Sequence, residues 1–315
     1  MAAKLQKISQ LATEATGKLT YSIESWQGFL SSAAWLYKYP FHEQVLIHAQ
    51  RPDARACAPI ELWNKRFGRW VNGGARGIAL LDDRGLRPSL NYVFDVSDTN
   101  ARHGIPFRLW EMEEWLEERV LEELENHFGE TSAYAGLPFS DQLMGVIHNA
   151  VADNLPDYEN ALVGSLAGSA LEEYDEWNVR TWLEQMVEQS VGYCALTRLG
   201  YAVDEYFEGQ DFAPVLDFNT LPVITQLGTA TGDISQAILR QIERSVRQME
   251  RERTLAKRQE GVQNGEKERS EEHETHIFEK RGLLNLKTVY TYSLLIHCLQ
   301  IPRRNQTIQK RSFCI

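Results

Sequence analysis

Residues 70–81 read WVNGGARGIALL, and this run is the strongest indication of the chain's architecture. Gly73, Gly74 and Gly77 fall within six residues and precede an apolar segment, a pattern typical of a turn that enters a β-strand. Residues 91–96, NYVFDV, predict a second, antiparallel strand. Because an isolated hairpin is only marginally stable in water, we expect neighbouring helices to cover one face of it.

Helices are predicted on the N-terminal side of this hairpin. Apolar side chains recur at helical spacing over 20–38, where Thr20 or Ser22 is the expected N-cap. A second helix is expected over 41–49, and Pro59 is suited to open a third, short one. The first hundred residues are therefore expected to be helices packed on a small antiparallel hairpin sheet.

After residue 109 the pattern is almost wholly helical. We expect amphipathic helices over 110–128, 140–154 and 178–199, and a last helix over 231–258 that Asp233 caps. The predicted fold class is α+β, with the helices and hairpin sheet followed by a mainly α-helical acidic domain.

Three regions are predicted along the chain, at 1–105, 106–258 and 259–315. Residues 259–281 are polar and highly charged without periodicity, which predicts a disordered linker. The composition and charge pattern of residues 282–315 differ from those of the preceding chain, which favours a truncated or out-of-frame end. The alternative is a short terminal strand or helix that packs on the rest of the protein.

The charge is divided unevenly between the two larger regions. The chain carries a net charge of −11, yet residues 1–81 have 10 Lys and Arg against 5 Asp and Glu, whereas 110–208 have 3 against 22. An acidic surface repels phosphate, so any contact with nucleic acid is expected in the first region. The acidic region is expected to contact protein, such as a basic partner, or to mimic the charge of DNA.

Cysteine usage and the absence of targeting patterns predict a cytoplasmic protein. The four cysteines lie far apart with no CxxC spacing, which favours free thiols in a reducing compartment. No apolar run approaches the ~18 residues of a membrane span, so no membrane contact is expected. The first ten residues lack the apolar core of a secretory signal.

Motifs of the common catalytic classes do not occur. His42-Glu43 begins like a zincin helix, but Leu46 stands where the second His is needed. The sequence has no GxSxG elbow, no GxxxxGK[ST] phosphate loop and no GxGxxG. We therefore expect no catalytic residue, no metal and no cofactor in this chain.

A set of basic, amide and aromatic side chains between residues 38 and 92 fits single-stranded-DNA binding. Cations neutralise phosphates in such proteins, and flat aromatic faces stack on unpaired bases. Trp70 or Tyr92 is the expected stacking residue; the competing interpretation is that aromatic residues of this region are core. The predicted DNA-binding residues are Lys38, Gln44, Gln50, Arg51, Lys65, Arg66, Arg69, Trp70, Asn72, Arg76 and Tyr92.

The order of these residues resembles the N-terminal domain of ArdC-type antirestriction proteins. The resemblance covers about 60–80 residues and is carried by PFHEQVLIHAQRPDA at 40–54, Trp63 and GRWVNGGARGIALL at 68–81. It implies a domain that binds single-stranded DNA. Three further segments resemble the N-terminal region of large proteins of conjugative elements, where helicase-like or methylase-like modules follow: residues 92–99, the acidic helix after Leu109-Trp110, and residues 149–154.

Two departures from the ArdC pattern limit what the resemblance implies. The glycine loop has Asn72, Gly73 and Gly74 where the family is richer in Lys and Arg, so fewer phosphate contacts are expected. The zincin-like half with its HExxH is missing, so protease-like activity is not implied. The alternatives are a protein-interaction scaffold and a broken N-terminal fragment of a larger helicase or DNA methylase.

Overall fold

The computed structural model describes residues 2–82, 85, 87–101 and 107–298, with side chains between 3 and 259 in these ranges. The chain forms two compact units, Met1–Glu250 and Arg251–Ile315. The architecture is α+β, as the sequence predicts: a small antiparallel sheet lies among helices, and the later part is mainly helical.

Short strands and helices alternate in the first hundred residues, and helices dominate afterwards. The first group comprises α1 (Ala2–Lys18), α2 (Ile23–Ala33), α3 (Phe41–Gln50), β1 (Cys57–Ala58), α4 (Ile60–Phe67), β2 (Arg69–Val71), β3 (Ile78–Asp82), β4 (Ser89–Asp95) and β5 (Thr99–Ala101). The second group comprises α5 (Glu117–Phe128), α6 (Phe139–Asn154), α7 (Pro156–Val163), α8 (Glu176–Leu199) and α9 (Leu221–Cys298).

The predicted hairpin is confirmed as β3 and β4, which pair antiparallel with Ile78 opposite Val93. Strand β1 adds to the other side of β4, so the order is β1-β4-β3, and β2 pairs with β5 in a separate two-stranded ladder. Strands β1, β2 and β5 were not predicted, because two or three residues are too few to show an alternating pattern.

Helices α1 and α3 cover one face of the hairpin, as its marginal stability requires. Leu46 and Ile47 of α3 are fully buried in a cluster with Ile78, Leu80 and Val93. Partly buried side chains of α1 pack against the same cluster. The sheet therefore gains its stability from helices that precede it in the chain.

Capping residues mark the ends of several helices. Ser22 caps α2, because its side chain accepts a hydrogen bond from Ser25 N. Helix α8 begins after Asp175, which caps it in the same way, and ends at Gly200 in the left-handed conformation. The predicted long helix from Trp110 is shorter than expected, since α5 begins only at Glu117.

Helix α9 departs most from the prediction. It begins at Leu221, so Asp233 lies inside it and accepts a hydrogen bond from Tyr158 Oη instead of capping. It also continues through 259–281, for which the sequence predicts no regular structure. No proline occurs between 222 and 302, and Lys, Arg, Glu and Gln are strong helix formers. The predicted tail beyond residue 298 lies outside the described residues.

One hydrophobic core joins α2 to helices α6, α8 and α9. Trp26 of α2 is fully buried, and its Nε1 donates a hydrogen bond to Ser190 Oγ of α8 at 3.0 Å. The core therefore runs across the boundary predicted near residue 105. Within the described ranges, no helix is long and apolar enough to cross a membrane.

Candidate nucleic-acid interface

Trp63 is the buried residue of helix α4, whose cations Lys65 and Arg66 remain in solvent. Trp63 is buried, and its Nε1 donates to Phe94 O of β4 at 2.9 Å. Lys65 and Arg66 lie in the last turn and are exposed. Gly68 ends the helix at φ 59°, a left-handed conformation that favours glycine, and leads directly into β2.

Strand β2 separates two of the predicted contact residues. Side chains alternate along a strand, so Trp70 lies on the opposite side of the β2–β5 ladder from Arg69. Arg69 folds onto β5, where its Nε donates to Thr99 Oγ1 and its second Nη to Thr99 O, both at 2.7 Å. Trp70 is 39% exposed.

Two amide side chains lie on the same side of this ladder as Trp70. Asn100 is directly opposite Trp70 in the register, and Asn72 follows two residues later in the chain. Asn100 Nδ2 donates to Asn72 Oδ1 at 2.6 Å. Sequence reasoning missed Asn100, because nothing in the local pattern predicts that β5 pairs with β2.

The glycine loop after β2 carries one more exposed cation. Gly74 has φ 86°, which explains the need for glycine at the turn, and Arg76 is exposed. A side chain at Gly77 would crowd Phe94, whose ring lies 3.1 Å from the position of a Cβ atom. We use the name α4–β2 surface for six residues of α4, β2, β5 and this loop, of which Asn72 is half-buried and the others are exposed: Lys65, Arg66, Trp70, Asn72, Arg76 and Asn100.

Gln44 and Lys38 of the predicted set are bound by other groups of the protein. Gln44 is only 2% exposed and donates to Leu36 O, so it is withdrawn from the contact set. Lys38 Nζ lies 2.6 Å from a carboxylate oxygen of Glu243 on α9. Burial raises the pKa of Glu243, but hydrogen bonds from Lys38 and Tyr37, together with the charges of Lys38 and Arg247, outweigh it and leave the pKa below its usual value.

Gln50 completes the edge of the sheet. Its Nε2 donates to Ala79 O at 2.9 Å, and its Oε1 accepts from Ala79 N at 3.0 Å. The side-chain amide thus replaces a neighbouring strand on the open side of β3, where main-chain groups would otherwise lack partners. Gln50 therefore has a structural role at the edge of the sheet.

Arg51 and Tyr92 are also occupied by intramolecular contacts. Arg51 donates to Asp98 at 2.6 Å, and this hydrogen bond is the main reason that the pKa of the guanidinium is raised. Lys4 Nζ lies 4.8 Å from the centroid of the Tyr92 ring, so a cation already occupies one face of it. Of the two predicted stacking residues, Trp70 is the more exposed.

The acidic region exposes aromatic side chains of its own. Trp177, in the first turn of α8, is 72% exposed, and Tyr174 just before it is 42% exposed. Carboxylates surround them in sequence, at Glu172, Glu173, Asp175 and Glu176.

Among the residues that the structure describes, no three His, Cys, Asp or Glu side chains are grouped so as to hold a metal ion. Comparison with known proteins found no match to this chain among protein-family models, curated proteins or solved structures.

Proposed function

We propose that the first part of the chain is a non-catalytic single-stranded-DNA-binding module of a DNA-processing protein carried by a conjugative mobile element. The observation that carries the proposal is the α4–β2 surface, where the exposed pair Lys65 and Arg66 leads within five residues to the exposed indole of Trp70. Cations for phosphates beside an aromatic face for bases are what such binding requires.

The cations of this surface keep their charge available. Within the described ranges, Lys65, Arg66 and Arg76 have no carboxylate within 4.0 Å, whereas Lys38 and Arg51 are paired with acids. A short chain segment keeps Arg66 and Trp70 within about 15 Å of each other. A phosphate and a neighbouring base of one strand are thus able to meet both side chains.

A salt titration tests the proposal. The full chain is titrated into a fluorescent oligo-dT of about 12 nucleotides, a length within the range of single-strand sites. Because each phosphate contact contributes about −0.7 to the slope of log K against log salt, three contacts predict a slope of about −2. Absence of binding at low salt would contradict the proposal.

A matched pair of variants tests whether DNA binds at the α4–β2 surface. Lys65→Ala with Arg66→Ala is expected to weaken binding and to reduce the slope by about 1.4, since two contacts are lost. Lys257→Ala with Arg258→Ala removes an exposed Lys-Arg pair from α9 and is expected to leave binding unchanged. Equal losses in both variants would indicate attraction by total charge and not by this surface.

A second candidate function is a protein-interaction scaffold, which the exposed Trp177 favours. An indole among carboxylates attracts Lys and Arg side chains through its ring face and through charge. This candidate predicts that the chain shows no affinity for oligo-dT. It also predicts that Lys65→Ala with Arg66→Ala leaves the binding of a protein partner unchanged. The titration therefore separates the two functions.

A further inference from the structure

The guanidinium of Arg69 is held by uncharged acceptors, so its positive charge is not compensated. Its Nε donates to Thr99 Oγ1 and its Nη2 to Thr99 O, both at 2.7 Å. Among the described residues, these are the two hydrogen bonds that the side chain makes, and no carboxylate lies within 4.0 Å of it. A cation that neutral groups hold in one orientation is suited to bind an anion.

The two bonds use one edge of the planar guanidinium and leave another edge free. The Nε hydrogen and the adjacent Nη2 hydrogen point to the same side, towards Thr99. The second Nη2 hydrogen and a hydrogen of Nη1 point in parallel away from the side chain, which matches two oxygens of one phosphate. Arg69 is half-buried, and solvent reaches Nη1, because this atom is not one of the buried unpartnered atoms of the described residues.

Thr99 is well fixed as a support for this guanidinium. It is 3% exposed and pairs with Val71 in the β2–β5 ladder. Its Oγ1 donates to Val96 O at 2.8 Å, so the hydroxyl hydrogen points away from Arg69 and a lone pair is left for the Nε hydrogen. The hydroxyl therefore orients the guanidinium without neutralising its charge.

The carboxylates of the same segment are engaged by other groups. Asp98, the neighbour of Thr99 in the chain, meets Arg51 Nη1 at 2.6 Å. Asp95 accepts hydrogen bonds from main-chain N–H groups and from the Ser97 hydroxyl. These acids therefore do not occupy the free edge of Arg69.

We infer that Arg69 binds a phosphate group through both Nη atoms, and that Thr99 is the positioning residue that holds it for this contact. The inference rests on the proposed single-strand function, with a phosphate of the DNA backbone as the ligand. It adds a contact outside the α4–β2 surface, on the side of the β2–β5 ladder opposite Trp70. With this fourth contact, the slope of log K against log salt becomes about −2.8 instead of −2.

Substitutions of Arg69 test the contact in the oligo-dT titration. Arg69→Lys keeps the charge but loses the paired donors, so we expect about fivefold weaker binding, the effect of one charge-assisted hydrogen bond at a solvated site, with the slope unchanged. Arg69→Ala also loses the charge and is expected to reduce the slope by about 0.7.

Arg66→Lys is the matched control for Arg69→Lys. Arg66 is exposed and makes no side-chain hydrogen bond within the described ranges, so lysine is expected to replace it without loss of affinity. Circular dichroism shows whether each variant is folded. Equal effects of the two Arg→Lys substitutions would contradict a bidentate contact at Arg69.

Thr99→Val tests the positioning role, because valine keeps the branched shape and removes the hydroxyl. We expect about threefold weaker binding of oligo-dT without a change in slope. In the Arg69→Ala background the same substitution is expected to have no further effect, since the hydroxyl acts through Arg69. An equal loss in both backgrounds would show that Thr99 supports only the fold.

Inorganic phosphate separates this inference from the proposed function. Thermal unfolding is measured in phosphate and in chloride at equal ionic strength, and phosphate is expected to raise the Tm of the intact chain more than that of Arg69→Lys. If this difference is found but oligo-dT does not bind, Arg69 binds free phosphate and the proposed function fails. If oligo-dT binds and Arg69→Lys changes neither measurement, the inference fails and single-strand binding stands.

Discussion

At the scale of single residues, Asp95 connects three segments of the first region. It is 2% exposed; Oδ1 accepts hydrogen bonds from Arg55 N and Ala56 N, and Oδ2 accepts from Ser97 N and Oγ. Burial by itself raises the pKa of this carboxyl, but the hydrogen bonds together outweigh burial and lower it. The ionised form therefore stabilises the folded state.

The pH dependence of stability follows from the direction of the Asp95 pKa shift. A lowered pKa contributes stability above the unfolded value of about 3.9, and the contribution is lost as the pH falls through the folded value. We expect Asp95→Asn to reduce the free energy of unfolding at pH 7 by about 1–3 kcal/mol. Urea unfolding at pH 7 and pH 3 should show a smaller difference between the two proteins at pH 3; an unchanged difference would refute this role.

At the scale of elements, helices α3 and α9 approach each other closely at a glycine. A Cβ atom built at Gly228 would overlap the ring of Phe41, which is itself buried. The absence of a side chain thus permits the contact, although glycine weakens the interior of a helix by about 1 kcal/mol relative to alanine. Gly28 in α2 is the opposite case, with open space around the same position.

This contrast yields a matched pair of helix substitutions. Gly228→Ala is expected to destabilise the protein by about 1–3 kcal/mol, because the Phe41 ring must move within a packed core. Gly28→Ala is expected to be neutral or to stabilise by up to about 1 kcal/mol. Thermal unfolding of both variants checks the prediction, and equal shifts in Tm would show that packing at Gly228 does not matter.

At the scale of the whole molecule, the core and the charge divide the chain differently. The charge changes sign between the first region and the acidic helices. The hydrophobic core is continuous across this change in charge, since Trp26, Phe29 and Leu30 of α2 are buried in the same cluster as side chains of α8 and α9. The first region therefore depends for its stability on helices that follow it in the chain.

Truncation tests this dependence. A fragment of residues 1–105 would expose the large apolar face of α2, so we expect it to aggregate or to unfold without a cooperative transition. A fragment of residues 1–250, which matches the first compact unit, should unfold cooperatively. Near-ultraviolet circular dichroism during heating measures both, and a sharp transition in the shorter fragment would contradict the shared core.

The sequence by itself determined the local elements and the distribution of charge. Glycine clusters, caps and apolar periodicity act over a few residues, so the β3–β4 hairpin, α3, α6 and α8 were predictable. Two- and three-residue strands and the true start of α9 were not, because their partners are remote in the chain or their signals are too short.

Only the tertiary structure decided which polar side chains of the predicted site face solvent. Gln50 meets Ala79 across 29 residues, Arg51 meets Asp98 across 47, and Lys38 meets Glu243 across 205. Such pairs depend on how distant segments pack, and no local pattern records them. Residue type determines which groups a side chain is able to bind. Packing determines whether other groups of the protein already occupy that side chain.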